Sequence, residues 1–345
     1  MKKLFLIYPM ILIFAILMID KIFTISLFRE RFLQTGNGIY YRHRQILFQR
    51  LLARKDDSRK VILAMGDSRA YSFSNLAFKN DRENRAREKK YDIYNFSGPQ
   101  AVPAYSLFWL EKMINSKVGI DHVFLVLSPE GFDDSKRLMH KPFLRMGADD
   151  EFVSQHLDLI PAEDLEEYYL DKIFTFRKVE LDFKLLLSRY KNKEMDQYNP
   201  FYNKELIILN LNQGEQLAYT TSVNDTEKLK SDSVRMGNIY FYNYKIHDTQ
   251  FKVVEEILKL CKENNIKIDL LWMKVFPDYA ENFNKYNLYN LWWNRIEKMA
   301  GDFGMRAIDF NKVGNCDLYY DASHQSALCY YDYTHYLIDG IEKLK

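Results

Sequence analysis

A serine placed directly after an apolar run can be presented at a turn. Gly66-Asp67-Ser68-Arg69 follows Val61-Ile62-Leu63-Ala64-Met65, a spacing that predicts a strand ending in a strand-to-helix turn. Serine is a weak nucleophile until a base takes its proton, and a histidine held by a carboxylate does this near neutral pH. Asp321-Ala322-Ser323-His324 supplies such a pair near the other end of the chain. The backbone N–H groups of a first helical turn at Ser68 would add stabilisation for an oxyanion. The chemistry implied is acyl transfer through Ser68, with His324 as base and Asp321 orienting it. A second Asp-x-x-His, Asp332 to His335, falls among Tyr330, Tyr331, Tyr336 and Leu337; it reads as a packed helical histidine.

The elements that would position these residues alternate. Val61–Met65, Tyr91–Phe96, His122–Leu127, Ile266–Trp272 and Met305–Phe310 are short, apolar and rich in β-branched or aromatic residues. Helical patterns fill the gaps near 72–80, 101–115, 249–264, 283–300 and 324–343. The fold class expected is α/β: a five-stranded parallel sheet covered by helices on both faces, a three-layer sandwich. Active sites in such sheets lie at the carboxyl ends of strands. That edge would gather Ser68, Gly98, Ser128, Lys274 and His324. Residues 133–247 interrupt the alternation as a long insertion, either a lid over the site or a buttress of the core. An amphipathic helix is expected over 37–54, with Leu47 and Leu51, then Phe48 and Leu52, four apart.

At this point the chain resembles the SGNH, or GDSL-type, hydrolase superfamily. Gly66, Asp67 and Ser68 match its first block. Asn95-Phe96-Ser97-Gly98 resembles the second, and Asp321 with His324 the fifth. The resemblance implies Ser68 as nucleophile, His324 as general base and Asp321 as its acid. It also implies the N–H groups of Ser68 and Gly98 as an oxyanion hole. The family's third block, Gly-x-Asn-Asp, is absent; the third strand ends Leu127-Ser128-Pro129-Glu130-Gly131. Ser128 or Asn95 would have to replace its side-chain donor. The likeness extends to membrane-tethered members that handle acyl groups on cell-surface polymers. A carbohydrate or small acyl-ester substrate and a membrane acyltransferase partner follow from it. A degenerate member that only binds a glycan or that partner is the alternative. Arg69 and Lys274 are candidate substrate-binding cations. An unrelated anion-binding α/β protein, cradling phosphate on the amides near Gly66–Arg69, is a further reading.

Composition sets the remaining bounds. The chain has 345 residues, 47% hydrophobic and 28% charged, with a net charge of +2, which is globular and implies no nucleic-acid partner. Basic residues cluster at Arg42–Lys60 and again at Arg82–Lys90. Both read as solvated faces, the first also as a lipid-headgroup contact. Three cysteines, Cys261, Cys316 and Cys329, are too few for a disulfide framework or a zinc site. They read as buried thiols, with a Cys316–Cys329 pair open in an oxidising compartment. No metal or other cofactor is implied. Residues 4–19 are apolar after Lys2 and Lys3, and the apolar character resumes over Ile22–Phe28. An uncleaved membrane anchor over 1–28 is expected, with a cleaved signal or a buried helix as rivals. A stalk or packing helix would follow over 29–59, and the globular domain, extracytoplasmic in this reading, over 60–345.

Overall fold

The computed structural model describes residues 2–22, 24–25, 36–55, 58–79, 86–133, 147–178, 183–194 and 221–343. Parts of the expected anchor, stalk and insertion, among them 26–35, 134–146 and 195–220, lie outside the described residues. The chain divides into two compact units, residues 1–43 with 138–207, and residues 44–137 with 208–345.

The second unit is built on the expected parallel sheet. Its strands are β1 (Lys60–Gly66), β2 (Tyr91–Asn95), β3 (His122–Val126), β4 (Lys267–Trp272) and β5 (Arg306–Asp309). All pairings are parallel, in the order β2-β1-β3-β4-β5. The order reverses between β1 and β3, and the crevice outside the carboxyl ends at such a switch point is where open α/β sheets bind ligands. Near-continuous burial along β1, β2 and β3 is the mark of strands covered on both faces. Ile62, Ala64, Ile93, Phe124, Val126, Leu271 and Ile308 form one inner face with Phe73, Phe78, Tyr330, Tyr333, Leu337 and Ile338. The last four sit on the C-terminal helix Cys329–Lys343. The helices Pro103–Asn115 and Thr249–Glu263 pack on each other and against β1 and β4 respectively. Pro103 opens the first of these at N1, where a missing N–H costs nothing.

Three expected helices change shape, each for a local reason. Residues 72–80 hold only a 3-10 turn, Asn75–Phe78. Asn75 Oδ1 accepts from the Ile93 N–H at 2.8 Å and its amide donates to Asp92 at 3.0 Å, so tertiary bonds fix the segment. The 283–300 pattern divides into Pro277–Lys285, a π turn at Tyr289–Trp293, and Asn294–Asp302. The break falls at Asn287, whose φ of 52° is left-handed, a conformation asparagine tolerates. The last helix starts at Cys329 rather than 324, because Tyr319 and Gln325 pair as an antiparallel bridge first.

The first unit contains a helix Lys2–Ile22 with Pro9 inside it. Asp20, buried at its end, accepts the N–H groups of Thr175 and Phe176, both at 2.8 Å. Among the described residues no helix is long and apolar enough to cross a membrane. In the sequence the apolar run before the charged Asp20-Lys21 covers residues 4–19, short of the roughly 20 residues a span needs. The expected helix over 37–54 is present as Gly36–Leu52; Leu47, Phe48 and Leu51 are buried and Leu52 is exposed.

Candidate functional site

β1 ends in a geometry only glycine tolerates. Gly66 has φ +118°, and a Cβ there would lie 2.1 Å from the Val126 carbonyl oxygen on β3. The backbone therefore passes close against β3 and turns into the 3-10 turn Ser68–Ala70. Asp67 caps that turn, its Oδ1 accepting the Arg69 N–H at 2.9 Å. The cap takes up the Arg69 N–H, one of the amides a phosphate cradle would need. Ser68 is half-buried and opens the turn, so its N–H has no intrahelical acceptor.

The second half of the constellation arrives on a closed loop. Cys316 and Cys329 form a disulfide, with Cα atoms 5.5 Å apart. This corrects the expectation of free thiols; Cys261 alone remains one, and burial pushes its thiol up to about 12. The bridge encloses residues 317–328, and further bonds fasten the loop. Tyr320 N–H donates to the His324 carbonyl at 2.9 Å, Ser326 N–H to the Leu318 carbonyl at 2.9 Å, and Gln325 Nε2 to the Cys316 carbonyl at 2.7 Å.

These supports bring the three predicted residues together across the chain. Ser68 Oγ lies 2.8 Å from His324 Nε2. His324 Nδ1 lies 2.9 and 3.0 Å from the two Asp321 oxygens. Asp321 Oδ1 also accepts from the N–H groups of Ser323 at 2.8 Å and His324 at 2.9 Å, and from Ser323 Oγ at 3.2 Å. Burial pushes the Asp321 carboxyl up, but the His324 hydrogen bond and charge, with the Ser323 donors, outweigh it and hold it below the usual range. An ionised Asp321 fixes the proton on Nδ1 and leaves Nε2 free to take one from Ser68.

The other predicted residues fare differently. Asn95 is fully buried, and its amide nitrogen donates to the carbonyls of Ala70, Tyr71 and Phe73 at 2.7, 3.1 and 3.1 Å. It braces the Ser68 turn and cannot serve as an oxyanion donor. Gly98 N–H donates to the Gly66 carbonyl at 3.0 Å, so it too is spent. Ser128 is buried and its hydroxyl donates to Asp67. Lys274 holds the Gly314 carbonyl at 2.8 Å and Asp317 at 2.7 Å, outside the cavity, and so anchors the approach to the disulfide loop. Arg69 lines the cavity, yet its guanidinium is committed. It donates to Glu130 at 3.0 and 2.6 Å and to the Ser323 carbonyl at 2.9 Å. Burial pushes the Glu130 carboxyl up, but the facing Arg69 and the Tyr279 hydroxyl, 2.5 Å away, hold it below its usual range. For Asn95, Gly98, Ser128 and Arg69 the departure has one cause: a buried polar group takes the nearest backbone or charged partner.

A cavity open to solvent lies over Ser68 and His324. Its walls include Gln100, Ala101, Gly131, Ser323 and Tyr240, which the sequence did not single out. Tyr240 ends the helix Thr226–Tyr240, inside the expected insertion. That part of the insertion therefore reaches the site. Burial and then the Glu130 carboxylate push its phenol up, so it stays protonated. No group of His, Cys, Asp and Glu among the described residues could hold a metal ion.

A family model spans residues 1–341. The chain belongs to the DUF1574 family, described as proteins of unknown function. No curated protein matches it. The match covers both units of this DUF1574 chain, including the Ser68 turn and the disulfide-closed loop.

Proposed function

We propose that this protein is a serine esterase or O-acyltransferase of SGNH type, acting on short acyl esters of cell-surface carbohydrate. The observation that carries the reading is the continuous contact Ser68 Oγ, His324 Nε2, His324 Nδ1, Asp321, with steps of 2.8 and 2.9 Å. In this mechanism Ser68 Oγ attacks the ester carbonyl carbon while its proton passes to His324 Nε2. The carbonyl electron pair moves onto oxygen, where the Ser68 N–H stabilises it. The intermediate collapses with return of that proton to the departing alcohol, leaving an acyl-serine. Water or a carbohydrate hydroxyl then gives its proton to His324 and attacks the acyl carbon, and Ser68 leaves with the proton. Asp321 keeps the imidazole in one tautomer throughout.

The same reading tethers the protein to a membrane through Lys2–Ile22. Ile11, Leu12, Ile13 and Phe14 are consecutive and all exposed, so apolar surface faces every side of the helix. The disulfide supports an oxidising, extracytoplasmic compartment for the site. Flotation of the full chain with liposomes tests the tether; protein that stays in the soluble fraction argues against it.

A second reading, a non-catalytic member that binds a glycan or a membrane acyltransferase, is favoured by one observation. Both Gly98 N–H and Asn95 are already spent. A fluorophosphonate probe separates the two. Labelling that is lost in Ser68→Ala and in His324→Ala supports the enzyme; a wild-type chain that resists the probe while binding polysaccharide supports the binder.

A further inference from the structure

With Gly98, Asn95 and Ser128 committed elsewhere, the candidate oxyanion hole holds only the Ser68 N–H among the donors the sequence suggested. The residues that line the cavity offer another donor in the loop after β2. Ala101 N–H donates to the Gly98 carbonyl at 3.3 Å, closing a four-residue turn over Gly98-Pro99-Gln100-Ala101. Pro99 takes its second position and Gln100 its third, with φ +53°. That is the pattern of a type II turn, whose third position calls for glycine or asparagine. Gln100 therefore holds a left-handed conformation that its Cβ makes unfavourable. Gln100 is exposed and is one of the residues that line the cavity containing Ser68 and His324. Among the described residues no group of the chain is hydrogen-bonded to its amide. A residue kept against its backbone preference, beside a nucleophile and with an uncommitted donor, is where strain and function coincide.

We propose that the side-chain amide of Gln100 is the second oxyanion donor, hydrogen-bonding the substrate's carbonyl oxygen as Ser68 attacks. The inference rests on Ser68 being the nucleophile. No covalent bond to Gln100 forms. As the Ser68 Oγ–carbon bond is made, the carbonyl electron pair moves to oxygen, the serine proton goes to His324, and Gln100 Nε2–H supplies a hydrogen bond that strengthens with the growing charge.

The test compares wild type, Gln100→Gly and Gln100→Glu in the full chain. The readouts are kcat and KM on p-nitrophenyl acetate, Tm, and fluorophosphonate labelling of Ser68. Gln100→Gly suits the backbone of the turn, so Tm should hold or rise while kcat falls by roughly 10²–10³ with KM little changed. Gln100→Glu keeps the size but places an anion where a donor is needed, and kcat should fall at least as far. A purely structural residue would show the reverse, a kcat that follows Tm. The inference is overturned if Gln100→Gly keeps kcat within about threefold of an active wild type. A wild type whose turnover does not depend on Ser68 overturns the nucleophile assignment, and this inference with it.

Discussion

Opening the Cys316–Cys329 bridge should weaken stability and activity together, because the loop it closes carries Asp321 and His324. The two cysteines are 13 residues apart. Loop-closure entropy for a ring of that size is worth about 3 kcal/mol at 25 °C. For a domain of roughly 150–250 residues that is a fall in Tm of about 6–12 °C. The loop has other fasteners, among them Gln325 on the Cys316 carbonyl at 2.7 Å and Tyr333 on Gln325 at 2.8 Å. The reduced protein should therefore stay folded at 25 °C while His324 loses its fixed distance from Ser68. Displacement by about an ångström costs on the order of a hundredfold in rate, so kcat should fall by about ten- to a hundredfold. Calorimetry and esterase assays on oxidised, reduced and Cys316→Ala/Cys329→Ala protein read both effects. Thiol titration after denaturation should count one thiol without reductant and three with it, matching the three cysteines of the chain. If the double variant keeps the wild-type Tm and kcat, the loop is held by its hydrogen bonds alone and the reasoning fails.

Gly66→Ala should cost at least about 2–3 kcal/mol in chemical denaturation, from the left-handed φ and the clash with the Val126 carbonyl together; a loss under about 1 kcal/mol, the usual scale of a surface change, would contradict the turn described. Arg69→Met should cost about 3–5 kcal/mol, since it strands the buried Glu130 carboxylate. Adding Glu130→Gln should recover part of that loss, and strictly additive costs would argue against the pair. Asp321 and Asp269 both titrate below the usual carboxylate range in the folded state. For Asp269, burial pushes up, but the hydrogen bonds from His122 and Arg306 outweigh it. Their stabilisation is present above the unfolded carboxylate pKa and is lost as pH falls through the lower folded values. Denaturation midpoints measured from pH 6 downward should fall below about pH 4, and Asp269→Asn should flatten that fall.

The contact between Ser68, His324 and Asp321 was legible because each residue sits beside a signal with a mechanism. Gly66 marks a turn that no side chain fits, the apolar run before it marks a buried parallel strand, and Asp-x-x-His spaces two side chains for one point. The five strands were legible for the same reason, being short apolar runs between helical periods. What the sequence hid depends on partners far away in the chain. Asn95 and Gly98 have the residue types of an oxyanion hole, but Asn95 meets the carbonyls of Ala70, Tyr71 and Phe73, and Gly98 meets Gly66. Arg69 has the residue type of a substrate cation, but Glu130, 61 positions on, faces it. Tyr240 carries no local signal at all. It reaches the cavity only because the helix Thr226–Tyr240 ends there.

The central claim is that Ser68 becomes acylated with His324 as its base. Rapid quenching of the full chain with an activated acetyl ester, followed by peptide mapping by mass spectrometry, tests it most directly. The account predicts one acetyl group on Ser68, formed quickly in wild type and slowed by orders of magnitude in His324→Ala. No adduct on Ser68, or one that forms as fast without His324, would contradict it.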